Sequence, residues 1–134
     1  MEASHNRRRG ESMNTDNTNT SSTAWHLLMA LPVIAILRGI QPQEVPPIAD
    51  ALEFAGMHTL EVPLNSPKAL ESIHWLSQRK QYLVGAGTVL TVQQVDDVAN
   101  AGGKLILSPN MKPSVIARTV ERGMISIPGV ATMT

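Results

Sequence analysis

From Trp25 onward the chain alternates two rhythms. Short aliphatic or β-branched runs recur as PVIAIL (32–37), HTLEV (58–62), YLVGA (82–86), KLILS (104–108) and MISI (124–127). Between them, apolar residues fall at helical spacing. Over 43–55, Val45, Ile48, Ala49 and Leu52 share one face; over 67–79, Leu70, Ile73 and Leu76 do the same. Two further helices are predicted over about 92–101 and 113–122. The segment before Trp25, residues 1–24, is rich in Asn, Thr and Ser and nearly free of large apolar groups. It cannot bury enough surface to offset its ordering entropy, so disorder is expected there. Met13 offers a plausible alternative start, leaving residues 1–12 of doubtful origin.

The boundaries between elements carry physical reasons. Ser66-Pro67 reads as an N-cap followed by proline at the first helical position, where a missing N–H costs nothing. TVQQ (91–94) has capping-box spacing, with Thr91 as N-cap and Gln94 three residues on. Helices are predicted to end at AG (55–56), AGG (101–103) and RG (122–123), glycine being the residue that tolerates a left-handed cap. A unit of helix end, strand and proline-bearing turn thus occurs three times, as AGMHTLEVP, AGGKLILSP and RGMISIP. Successive strands begin 20–26 residues apart, the size of one β/α unit.

Strands alternating with helices at this spacing imply a parallel sheet in an α/β fold. Two architectures compete, an open doubly wound sheet and a (β/α) barrel. No G-x-G-x-x-G follows the first strand, which disfavours the dinucleotide-binding version and favours the barrel. The expected fold is therefore a partial (β/α)8 TIM barrel with about five β/α units in residues 25–134.

Composition narrows the function classes. Lysine plus arginine balances aspartate plus glutamate, 11 against 11 in 134 residues, so no charge excess favours nucleic acid or an anionic membrane. Two Trp, one Tyr and one Phe are too few for base-stacking platforms. With no cysteine, disulfides, thiolate nucleophiles and thiolate metal sites are all excluded, and a cytoplasmic setting is expected. The longest apolar run, 27–37, is too short for a spanning helix and contains Pro32. Polar residues 10–23 separate the arginines at 7–9 from it, so no targeting segment is read.

In a parallel α/β fold the working face lies at the C-terminal ends of the strands. The residues expected there are Arg38-Gly39, Glu61, Gly85 to Thr88 (GAGT), Ser108-Pro109-Asn110 and Pro128-Gly129. All are polar or small, whereas the strand bodies are not. Strand alternation puts Thr59 and Glu61 on one face and Leu60 and Val62 on the other, which aims Glu61 into a barrel mouth. A carboxyl among apolar walls has its pKa raised by desolvation, as suits a proton shuttle near neutral pH. A plain salt bridge to Arg38 is the competing expectation. His58 and Glu61, three apart on a strand, face opposite ways and make a poor metal pair; His26 and His74 read as helix-surface residues. GAGT could cradle a phosphate, but one small-residue turn is a weak signal.

Taken together and in order, PVIAILRG, EVPLNSP, GAGTVL, SPN and IPG resemble the bacterial KDPG/KHG aldolase family over about residues 30–134. LNSP with Asn65, and SPN, follow its 2-dehydro-3-deoxy-6-phosphogalactonate-type pattern rather than the gluconate-type. The resemblance implies (β/α)8 barrels, commonly homotrimers, that need no cofactor. It implies class I aldolases cleaving a phosphorylated 2-keto-3-deoxy sugar acid to pyruvate and glyceraldehyde 3-phosphate through a lysine Schiff base. Carried over by motif, Glu61 is the acid/base, Arg38 holds the carboxylate of the pyruvyl half, and Thr88 hydrogen-bonds in the same pocket. The family's Schiff-base lysine lies on strand 6, beyond Pro128-Gly129, and its phosphate loops come later still. None of these falls within residues 1–134, so the 134-residue polypeptide is expected to be inactive or nearly so, its ending that of a damaged, frameshifted or incomplete gene. Lys104 is predicted at the far end of a strand, and Lys68 and Lys80 within or at the end of a helix, leaving Lys112 as the one lysine near the working face. Two other functions remain open: a non-catalytic remnant that pairs with a partner through its sheet edges, and another sugar-phosphate barrel enzyme such as an epimerase or isomerase.

Overall fold

In a computed structural model of the chain, residues 16–131 are described, with side chains from Ser22 onward. Five strands follow the predicted runs: β1 (Ala35–Ile36), β2 (Thr59–Pro63), β3 (Leu83–Gly87), β4 (Leu105–Ser108) and β5 (Ile125–Pro128). They form one parallel sheet in sequential order, β1 to β5. β1 is shorter than PVIAIL suggests because only β2 flanks it; Leu37 N–H still donates to Glu61 C=O at 2.8 Å.

Helices α2 (Val45–Phe54), α3 (Ala69–Ser77), α4 (Val92–Asn100) and α5 (Pro113–Glu121) occupy the four crossovers, with a 3-10 turn at Pro42–Glu44 leading into α2. Their inward stripes share one core with alternate strand residues. Val45, Ala49, Ile73, Leu76, Val95, Val98 and Val115 from the helices meet Leu60, Val62, Val84, Ala86 and Ile106 from the strands. Each fully buried Leu or Ile in such a layer contributes roughly 1.5–3 kcal/mol. All four helices therefore cover the same sheet face. A doubly wound sheet reverses its strand order and carries helices on both faces, so order and layering together give the barrel-type arrangement.

The opposite face holds a second cluster of Leu83, Leu105 and Ile125, the first residues of β3, β4 and β5. It is capped by Ala24, Leu27 and Leu28 of a helix that composition did not predict, α1 (Asp16–Ala30). That helix overturns the expected disorder over 16–24; residues 1–15 lie outside the described residues. Asn, Thr and Ser are weak helix formers. Packing of the helix's C-terminal half onto the sheet supplies what local propensity does not.

The capping box at Thr91 forms: Gln94 N–H donates to Thr91 Oγ1 at 3.1 Å, and Gln94 Oε1 accepts from Thr91 N–H at 3.2 Å. Gly56, Gly102 and Gly123 take the positive φ expected of helix caps. The cap read at Ser66-Pro67 does not form. α3 starts later, at Ala69, with Lys68 as N-cap at φ 48°. Ser66 Oγ instead accepts from Gly39 N–H at 3.0 Å, tying the loop after β2 to the turn after β1. No helix among the described residues is long and apolar enough to cross a membrane.

Candidate active site

Glu61 sits at the middle of β2, not at its end, and is 4 % exposed. Its strand neighbours Leu60 and Val62 point into the helix-side core, so Glu61 shares the other face with Thr59. The register sets Glu61 opposite Gly85 of β3. The carboxylate nevertheless reaches Gly87, two residues farther toward the C-terminal end, where a Cβ would overlap Glu61 Oε1 and Cδ. The side chain thus leans along its strand toward the mouth.

The surroundings of this carboxyl are unusual for a charged group. Oε2 is buried and has no hydrogen-bond partner. Burial pushes the Glu61 carboxyl above the usual carboxylate range, and the positive charge of Arg38 only partly opposes this. Among the described residues no ion pair joins Glu61 to Arg38 within 4.0 Å. The salt-bridge alternative is therefore not what the structure shows. Arg38 stands exposed just past β1, its guanidinium attracting the carboxylate from a distance.

The GAGT turn is not a turn. Gly85 to Gly87 are strand residues of β3, so no loop of backbone N–H groups is available there to cradle a phosphate. Thr88 follows directly and holds φ at 57°. For a β-branched residue this is a genuine outlier, costing on the order of 1–3 kcal/mol. Thr88 is half-buried and directly follows Gly87, the residue against which the Glu61 carboxyl lies. Ser108 ends β4 and Pro109 follows it; Gly129 N–H, just past β5, donates to Ser108 C=O at 2.7 Å. Asn110 is exposed beyond them.

Sequence alone puts Glu61, Arg38 and the GAGT stretch with Gly87 and Thr88 at one end of the sheet, but not the contact of Gly87 with the Glu61 carboxyl or the brace from Ser66 to Gly39. The strand-face alternation over 83–87 could have found Gly87, since positions 83, 85 and 87 share the face of Glu61.

The lysines distribute as follows. Lys104 precedes β4 at the opposite end of the sheet. There it lines a cavity of about 600 Å³ with Arg79, Lys80, Ala24 and Leu27, remote from Glu61. Lys68 is not inside a helix as expected but caps α3 on the working side, exposed and paired with Glu71 at 3.6 Å. Lys112 is exposed in the connection after β4, and its Nζ donates to Leu90 C=O at 3.3 Å. Among the described residues no group of three His, Cys, Asp or Glu could hold a metal ion.

A sequentially ordered parallel sheet, its four crossover helices on one face and a desolvated carboxyl on the other define a protein of the β/α-barrel class. Residues 25–134 match the family model for KDPG and KHG aldolase. The chain belongs to that family. It is 46 % identical to the 2-dehydro-3-deoxy-6-phosphogalactonate aldolase of Escherichia coli K12 over 106 residues, 78 % of this chain and 52 % of that protein. It is 44 % identical to the probable enzyme of the same name from Rhizobium meliloti over 108 residues, 79 % of this chain and 51 % of the other. The crystal structure of KDPG aldolase from Legionella pneumophila, with pyruvate captured as a covalent carbinolamine, superposes with a TM-score of 0.73 at 33 % identity. That match covers 81 % of this chain and 53 % of the other. The chain spans about half the length of the relatives it matches.

Proposed function

We propose that these residues supply the acid–base and keto-acid-binding part of a class I aldolase. Its substrate is 2-dehydro-3-deoxy-6-phosphogalactonate, or the gluconate epimer, and its products are pyruvate and glyceraldehyde 3-phosphate. The observation that carries this is the buried Glu61 carboxyl, unpaired at Oε2 and raised in pKa at the C-terminal mouth. A carboxyl whose pKa is raised by burial keeps its proton to higher pH than a solvated one, and that proton can pass to the oxygen of a carbinolamine as water leaves. The resulting carboxylate then takes the proton from the substrate hydroxyl as the carbon–carbon bond breaks and its electron pair moves into the imine. Arg38, exposed just past β1, suits the carboxylate of the pyruvyl half, and the hydrogen bond in the same pocket is assigned to Thr88, which directly follows Gly87.

Asn65 and the Ser108-Pro109-Asn110 turn, with the 44–46 % identity to galactonate-type relatives, favour the galactonate epimer. The imine-forming lysine and the phosphate grip belong to the half of the family fold that these residues do not span. A homotrimer and a cytoplasmic setting extend the same proposal.

Borohydride trapping with pyruvate tests it. No adduct is expected on a polypeptide of these 134 residues, because none of its placed lysines adjoins Glu61. A chimera continuing into the remaining half of the E. coli relative is expected to label once and to cleave the phosphogalactonate substrate. A chimera that folds but neither labels nor cleaves would sink the proposal. An adduct on Lys112 of the 134-residue polypeptide would show that the nucleophile lies within it.

A further inference from the structure

Gly85 and Gly87 lie inside a strand, where glycine weakens the element by roughly 0.5–1 kcal/mol relative to alanine and needs a reason. Neither has a positive φ; the glycines that do are Gly39, Gly56, Gly102 and Gly123. Backbone conformation therefore does not demand glycine at either position, and only space can. The occupants of that space differ. A Cβ at Gly85 would run into the neighbouring strand, overlapping Leu105 O and Cβ and lying 2.6 Å from Leu105 C. At Gly87 the three atoms nearest a Cβ all belong to Glu61: it overlaps Oε1 and Cδ and lies 2.7 Å from Oε2. One glycine lets two strands close; the other leaves room for a carboxyl group.

We propose that Gly87 is a positioning residue for Glu61, its missing side chain forming the seat in which the carboxyl rests against β3. Filling the seat leaves the backbone undisturbed, because the obstacle is the far end of a rotatable side chain. The carboxyl must then swing off β3 into the open mouth, where Arg38 is the charged group that faces it. Water regains access to Oε2 and the pull of Arg38 grows. The positional claim stands on the contacts alone; its catalytic consequence rests on the acid–base role proposed for Glu61.

Two measurements on the full chain test the claim without relying on aldolase activity. In chain labelled with 13C at glutamate carboxyls, and with Glu61 assigned through Glu61→Gln, the Glu61 midpoint is expected to move down in Gly87→Ala. A folded variant with an unchanged midpoint would overturn the proposal. The second is a stability cycle. Measured below the ordinary carboxylate range, where Glu61 is protonated and no charge term enters, Gly87→Ala is expected to destabilise the wild-type chain but not Glu61→Ala, in which the obstructing carboxyl is gone. Equal destabilisation in both backgrounds would show that Gly87 serves the strand rather than the carboxyl. The cycle holds this test open even where the single variant unfolds.

Discussion

Glu61→Gln is expected to slow aldol cleavage about 10²–10⁴-fold in the completed chimera, the usual contribution of a positioned proton donor and acceptor. Glutamine keeps the shape of the side chain and loses the proton that can be exchanged. Stability should move the other way. The folded-state pKa of Glu61 lies above its ordinary value of 4.5, so the native state binds more protons than the unfolded chain between that value and the raised one. Stability therefore falls as pH rises through this window. At neutral pH the native chain bears the cost of a poorly solvated, partnerless carboxylate, on the order of 1 kcal/mol or more. Glutamine avoids that charge. Urea unfolding at neutral pH should find Glu61→Gln the more stable protein, with the difference closing as pH drops below the ordinary carboxylate range. Activity and stability falling together would mark Glu61 as a structural residue.

Gly85→Ala is expected to cost about 3 kcal/mol, the upper end of what forced overpacking with backbone shifts typically costs. The added carbon meets Leu105 main chain, and neither β3 nor β4 can yield without parting the middle of the sheet. Leu105 and its sheet neighbours Leu83 and Ile125 are fully or almost fully buried and pack on α1, so a parted sheet also loses that cap. Thermal unfolding should shift down on the order of 10 °C for a domain of this size. An unchanged transition would mean that the strands do not close through Gly85. The contrast with Gly87→Ala, two residues away on the same face, separates a fold requirement from a site requirement.

The sheet and its helices were legible because each rests on local signals that repeat: aliphatic runs, helical spacing and glycine caps. All five strands and four of the five helices lie where those signals put them, within a few residues. The order of the strands was not in any single segment. Unit length implied only a parallel sheet, and the barrel was preferred because no G-x-G-x-x-G follows the first strand; the sequential pairing and the layering of α2 to α5 on one face agree with it. α1 escaped because its signal is tertiary: Ala24, Leu27 and Leu28 matter only once Leu83, Leu105 and Ile125 have been brought together. Ser66-Pro67 misled for a related reason. The serine satisfies a backbone N–H in another loop, at Gly39, rather than in its own helix, and no local pattern distinguishes the two.

The site was legible to the extent that strand alternation fixes a face. That rule aimed Glu61 at the mouth and holds in the structure. Whether Glu61 would meet Arg38 as an ion pair depended on side-chain reach across β1 and β2, which spacing does not determine. Burial of Oε2 without a partner decides for the desolvated carboxyl. Gly87 was readable as a member of GAGT but not as a seat, since its meaning depends on how far Glu61 leans along its strand. Thr88 gave no sign in sequence of its left-handed backbone; β-branched residues seldom adopt it.

The most direct measurement is the pH titration of the Glu61 carboxyl carbon in the wild-type chain, by 13C NMR with Glu61→Gln as the assignment control. A midpoint clearly above the ordinary glutamate value is expected, because burial dominates over the attraction of Arg38. A midpoint at or below that value would mean that Glu61 is solvated or paired, and the desolvated acid on which the proposed chemistry depends would not exist.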